Sequence, residues 1–190
     1  LYDRQINAHK GPLQTYKSAD PGFRLKGFKL ENVFAPPVAI SMLVPGSGAA
    51  HLKKMKEITK MACIEVAVRD TEPGQITVNG SGRSVVKKEL NPLDKERRDA
   101  GLKAIRDIFN STNAREIIPG RLGIGLHLMG GLALGSDAAK SVVNPDFQLH
   151  GVANVFAADS SIFPNAPGIN PSLTIMALSK MAAEKIGRTL

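Results

Sequence analysis

The chain has 190 residues and a formal net charge of +8, with 43% hydrophobic and 22% charged residues. That balance fits a soluble globular protein, and no apolar run approaches the ~18 residues of a membrane span. The basic residues are spread without interleaved aromatics, so nucleic acid is not an expected partner, and one cysteine excludes an internal disulfide and any multi-cysteine metal site.

Residues 1–50 read as an irregular lead-in, punctuated by Gly11-Pro12, Pro21-Gly22, Pro36-Pro37 and Pro45-Gly46. Within residues 50–59, Leu52, Met55 and Thr59 recur at helical spacing while Lys53, Lys54 and Lys56 fall elsewhere, which predicts a short helix with its lysines in water. Residues 62–68 alternate apolar Ala62, Ile64, Val66 and Val68 with other side chains, the period of a half-buried strand, and Cys63 is expected there as an inert core thiol. Pro73-Gly74 and Asn79-Gly80-Ser81-Gly82 then predict turns on either side of residues 75–78, with a further strand over 83–89, so an antiparallel meander follows. Asn91 as cap, Pro92 at the first helical position and Asp94 in the first turn start a helix. Its stripe of Gly101, Leu102, Ile105, Ile108 and Phe109 is expected to pack on that sheet, with a brief strand over 116–118 after it.

Glycines cluster over residues 120–135, an apolar strand is expected over 152–158 ending at Asp159, and the last helix is expected to take Asn170 as cap and Pro171 as first residue. Its apolar residues occupy more than one face, which predicts burial at its start.

Two residues stand out chemically. His127 lies in Gly123-Ile124-Gly125-Leu126-His127-Leu128-Met129-Gly130-Gly131, where small residues allow close backbone approach beside one imidazole. Asn170 lies at the mouth of a helix whose free N–H groups and positive half-dipole suit an electron-rich group. From the local pattern alone, a loop-bonding histidine and a plain helix cap explain the two residues as well. His9 and His51 lack supporting context and read as surface or packing residues.

Residues 127–135, His-Leu-Met-Gly-Gly-Leu-Ala-Leu-Gly, resemble the H-x-x-G-x-x-x-M/L-G segment of glucose-methanol-choline oxidoreductases. Ala157-Ala158-Asp159-Ser160-Ser161-Ile162-Phe163-Pro164 resembles that family's V-x-D-x-S-x-x-P, and Gly168-Ile169-Asn170-Pro171-Ser172-Leu173-Thr174-Ile175 its closing G-x-N-P-x-x-T-I. The close likeness covers residues 127–186, and the asparagine with proline after it is most similar to the cholesterol oxidase and long-chain alcohol oxidase type.

The resemblance implies an α+β fold: an antiparallel substrate-domain sheet with helices, then a C-terminal strand and helix that complete an FAD-binding domain. Residues 51–126 would belong to the substrate domain and 127–190 to the segment that carries the catalytic motif. FAD is the implied cofactor, and an alcohol, sterol or sugar the implied substrate. His127 and Asn170 would be the catalytic pair, with Asp159, Ser160, Asn170, Pro171 and Ser172 near the cofactor and no metal ligand. His150 would belong to the cofactor-binding scaffold. The family's G-x-G-x-x-G fingerprint is absent, so the remaining N-terminal part of the same enzyme would be needed as partner, and no turnover is expected of these residues alone. A non-catalytic module that keeps the fold, or flavin-site lyase chemistry, are the rival readings; the compartment stays open.

Overall fold

A computed structural model describes residues 1–12, 16–18 and 20–188. The chain divides into two compact units, one of Leu1–Arg69 with Leu90–Ile124 and one of Asp70–Glu89 with Gly125–Leu190. Small antiparallel sheets and helices occur together, so the fold is mixed helix and strand.

In the first unit, the short helix α1 (Pro21–Leu25) starts where Asp20 Oδ1 accepts from Gly22 N at 2.7 Å, and it leads into strand β1 (Phe28–Asn32). Helices α2 (Pro37–Leu43) and α3 (Gly48–Met55) follow, then a 3-10 turn at Ile58–Lys60 and strand β2 (Ile64–Val68). Residues 1–50 are therefore more regular than their turn residues suggest: they supply α1, β1, α2 and the start of α3. Strand β1 eluded the sequence pattern because only Phe28 and Leu30 mark its apolar face, between turn residues. Lys29 and Glu31 are 5% and 3% exposed and pair at 2.9 Å.

The expected meander is not formed. β2 pairs with β1, Phe28 opposite Val68 and Leu30 opposite Val66, while the strands after it form a separate hairpin. With β1 already supplying an antiparallel edge, and Pro73 lacking an amide donor, nothing obliges β2 to pair forward.

Helix α4 (Pro92–Ser111) begins as its sequence requires: Asn91 Oδ1 accepts from Asp94 N at 2.8 Å, Pro92 sits in the first turn, and buried Asp94 meets Arg97 Nη1 at 3.2 Å. The buried seam runs through Asp94, Gly101 and Ile105 with Ala100, Ala104 and Phe109 beside it, against Phe28, Leu30 and Val66. Leu102 and Ile108, expected in the stripe, are 38% and 37% exposed. A second cluster gathers Val33, Ala35, Ile40, Val44 and Met61, and Ile118 packs on it from a segment that forms no strand over 116–118. Cys63 also lies against this cluster, and burial pushes its thiol up to about 11, consistent with an inert core thiol. Leu52 is 57% exposed, and among the lysines Lys54 turns back to Glu116 at 3.3 Å.

The second unit contains the hairpin of β3 (Gln75–Val78) and β4 (Ser84–Lys87), closed by Asn79, whose Oδ1 accepts from Ser81 N at 3.0 Å and Arg83 N at 2.9 Å. Gly82 takes φ +77 in that turn, a conformation that favours glycine. Its later residues gather around Val143, Phe147, Ile162 and Ala182, the last on helix α5 (Ser172–Ile186). The strand expected over 152–158 is reduced to one bridge, Gln148 with Phe156, because Asn154 turns the chain at φ +60. Among the described residues no helix is long and apolar enough to cross a membrane.

At Gly101 α4 comes close to the sheet. A Cβ there would lie 2.3 Å from Val66 Cγ2 and 3.1 Å from Phe28 Cδ2. Val66 is β-branched and stiff, so Gly101→Ala should cost about 1–3 kcal/mol by overpacking, against ~1 kcal/mol gained in helix propensity. A lower melting temperature on thermal unfolding is the expected outcome; an unchanged or raised one would show that α4 can withdraw freely.

Candidate active site

All the residues singled out by the family-like motifs lie in the second unit. His127 is half-buried, sits at a bend in the chain, and its imidazole has no hydrogen-bond partner among the described residues. The segment after it is zipped to the turn that follows Asp159. Gly130 N donates to Ser160 O at 3.1 Å, Leu132 N to Ser161 O at 3.0 Å and Leu134 N to Ile162 O at 3.0 Å. Ser160 Oγ adds a bond to Leu128 O at 3.0 Å, adjacent to His127. Two motifs thirty residues apart are thus held side by side, and the positive φ of Gly130 (+86) and Gly131 (+102) lets the chain turn there without a Cβ.

Asp159 caps a 3-10 turn, Ser160–Ile162. Its Oδ1 accepts from Ser161 N at 2.8 Å and also from Ser161 Oγ in a short contact. The hydroxyl first and the amide second hold its carboxyl below the usual aspartate range. Ser179 Oγ, on the inner face of α5, donates to Ala158 O just before this turn. Sequence reasoning missed Ser179; the available signal was a hydroxyl at the buried spacing of Ile175, Leu178 and Ala182 in an otherwise apolar helix.

The start of α5 differs from expectation by one residue. Pro171 is the N-cap, Ser172 the first helical residue, and Ile175 N donates to Pro171 O at 2.8 Å. Proline has no side-chain acceptor, so the cap that Asn170 was expected to provide is absent at this position. Ser172, Leu173 and Thr174 are exposed, and their amide groups meet no acceptor among the described residues. An open helix start with a serine hydroxyl beside it suits an electron-rich ring or phosphate, so the donors present fit FAD. Asn170 itself is half-buried beside that start.

Burial at the start of α5 is not found: Leu173 is 76%, Met176 61% and Met181 50% exposed, a stripe opposite the buried one through Ala182. His150 is accounted for by a latch. Its Nε2 lies 3.1 Å from Gly135 O and 3.1 Å from Ser141 Oγ, tying down residues 135–141. In the first unit His9 and His51 are partly buried, with His9 Nδ1 and His51 Nε2 buried and without partners among the described residues.

The family model described as GMC oxidoreductase matches residues 50–179. The chain belongs to the GMC oxidoreductase family. Members of this family are FAD-binding flavoproteins. An uncharacterized GMC-type oxidoreductase of Mycobacterium tuberculosis is 27% identical over 209 residues, covering 97% of this chain and 33% of the relative. A long-chain-alcohol oxidase of Arabidopsis thaliana is 23% identical over 178 residues, covering 75% of this chain and 24% of the relative. Among solved structures, formate oxidase of Aspergillus oryzae superposes with a TM-score of 0.61 at 17% identity, over 86% of this chain and 32% of that one. This GMC chain therefore spans about a quarter to a third of the length of these relatives.

The Asp159 cap has a measurable signature. Because its folded carboxyl is depressed, its contribution to stability is present above the unfolded aspartate value and is lost as pH falls through the lower folded one. Ser161→Ala in the full-length protein should move the Asp159 titration upward toward the ordinary range, read by carboxyl NMR. An unmoved titration would show that the hydroxyl bond is not made.

Proposed function

We propose that this chain is the C-terminal part of an FAD-dependent oxidoreductase that oxidises the CH–OH group of an alcohol, sterol or sugar. In this reading residues 51–126 form part of the substrate domain, after a lead-in over 1–50, and residues 127–190 carry the catalytic motif and complete the FAD-binding domain. The observation that carries the reading is the half-buried imidazole of His127, without a hydrogen-bond partner among the described residues and clipped through Leu128 and Gly130 to the Asp159 turn. His150 in the same unit is instead engaged, its Nε2 lying 3.1 Å from Gly135 O.

Oxidation of an alcohol removes the hydroxyl proton and the carbinol hydride. FAD, when bound, supplies the hydride acceptor. His127 takes the hydroxyl proton onto a neutral ring nitrogen, the general-base role. Asn170, with both a donor and an acceptor on one amide, holds the alcohol oxygen and aligns its C–H bond without exchanging protons. Ser172 and the open amides at the start of α5, behind Pro171, offer positive potential to the electron-rich ring. Asp159 and Ser160 hold the turn next to it, and the Asp159 carboxylate is the acceptor offered there to a ribityl hydroxyl.

The Asn170-Pro171 pair and the likeness to a long-chain-alcohol oxidase support a long-chain alcohol or a sterol among these substrates. The outward apolar stripe of α5 supports a larger protein around this piece, since an aliphatic stripe of that size is normally covered. The remaining N-terminal part of the same enzyme is the natural cover, and turnover requires it.

In the full-length protein, His127→Ala should lower the rate of flavin reduction by about 100-fold or more while FAD stays bound. Reduction at the unaltered rate would remove His127 from the reaction. Asn170→Leu should slow the same step by ~10-fold or more, through lost alignment of the alcohol. Stopped-flow bleaching of the flavin absorbance by a long-chain alcohol measures both, and an Asn170→Leu protein that reduces normally would confine Asn170 to shaping the helix entry.

A further inference from the structure

The turn of the β3–β4 hairpin holds the one Asn-Gly pair of the chain, Asn79-Gly80, and residues 79–83 are all exposed. The side-chain amide of Asn79 is bonded on one side only. Its Oδ1 accepts from Ser81 N at 3.0 Å, Ser81 Oγ at 2.8 Å and Arg83 N at 2.9 Å, while Nδ2 has no partner among the described residues. The Gly80 N–H meets no acceptor among them either.

Nothing in the fold calls for glycine at position 80. Its φ lies outside the left-handed region, unlike that of Gly82 in the same turn, and a Cβ there would meet nothing within 4 Å. What the missing side chain does change is access to Gly80 N itself. The bond from Ser81 N to Asn79 Oδ1 closes a ring that includes Gly80 N, so the Asn79 side chain is folded back along that peptide unit.

We propose that Asn79 is a self-modification site, converted to aspartate and isoaspartate by attack of its own neighbour, Gly80 N. The nitrogen gives its proton to hydroxide and forms a bond to Asn79 Cγ. Negative charge then develops on Oδ1, where the three donors already point, the arrangement that stabilises an oxyanion. The Cγ–Nδ2 bond breaks, ammonia leaves with a proton from water, and a five-membered imide remains. Water opens the imide at Cγ to give aspartate, or at the Asn79 main-chain carbonyl to give isoaspartate. The net change is water in and ammonia out, with no oxidant or cofactor. Asn91, Asn144 and Asn170 precede proline, which has no N–H to lose, so this route is closed to them.

The two products act differently on the hairpin. Aspartate offers the same three donors a carboxylate, so its bonds strengthen and the turn is kept. Isoaspartate lengthens the main chain by one carbon and removes from it the Asn79 carbonyl that accepts from Gly82 N at 2.9 Å, which loosens the turn. This chemistry is independent of the flavoenzyme reading.

The test is to age the folded full-length protein in mildly alkaline buffer and follow Asn79 by peptide mapping with mass spectrometry. Asn79 should convert ahead of every other asparagine, at a rate rising in proportion to hydroxide. Gly80→Ala, which the open space at position 80 admits, should slow conversion by about tenfold or more. Ser81→Ala, with one donor to Oδ1 removed, should slow it by about two- to tenfold. An Asn79 that stays intact while a free peptide of the same sequence converts overturns the proposal, because the three bonds then lock the side chain. Conversion of Gly80→Ala at the wild-type rate overturns the ring closure, and Ser81→Ala converting as fast as wild type or faster overturns the part given to the donors.

Discussion

The arrangement around His127 depends on one short ladder: three main-chain bonds from Gly130, Leu132 and Leu134 to Ser160, Ser161 and Ile162, with Ser160 Oγ on Leu128 O. Each such bond contributes about 0.5–1.5 kcal/mol net, so the set is comparable with a substantial fraction of a domain's stability. It has no regular sheet behind it. Its anchors are a buried Ile162 at 2% exposure on one side and a turn capped by Asp159 on the other. Losing the cap would loosen the 160–162 turn, and the loosened turn would release the segment beside the histidine.

Helix α5 is drawn into the same construction. Ser179 fastens it to Ala158, and Ala182, fully buried, seats it on Val143 and Ile162. The helix start that would face the cofactor is therefore positioned through the turn that also positions the segment of His127. That shared support is the physical reason motifs separated by tens of residues must be read as a set: a ring-binding helix end and a proton acceptor are of use only if a common scaffold fixes both.

Much of this was legible in the sequence, and the failures have identifiable causes. The start of α4 was readable because Asn91, Pro92 and Asp94 each act within one helical turn, where chemistry is local. The motif residues were readable because they recur together in order and spacing. Strand β1 was not, because the alternation of Phe28 and Leu30 with Lys29 and Glu31 spans only two apolar positions among turn residues, too short a run to signal a strand by itself. The pairing of β2 with β1 instead of β3 is a long-range choice, and turn residues report only that the chain reverses. At α5, Asn170-Pro171 carries the usual signature of cap and first residue, yet the helix starts one position later; a proline satisfies either place because both dispense with its missing amide donor.

The expectation that α5 would be buried at its start deserves a different explanation. The pattern correctly reported apolar residues on two faces, and only one of them, through Ile175, Leu178 and Ala182, is covered by the residues described. Leu173, Met176 and Met181 carry the second face. Hydrophobic periodicity records the surroundings in which a sequence was selected, which need not be those supplied by the residues described. An uncovered stripe of that kind is then informative in itself: it lies in the same unit and on the same helix whose first amides meet no acceptor among the described residues.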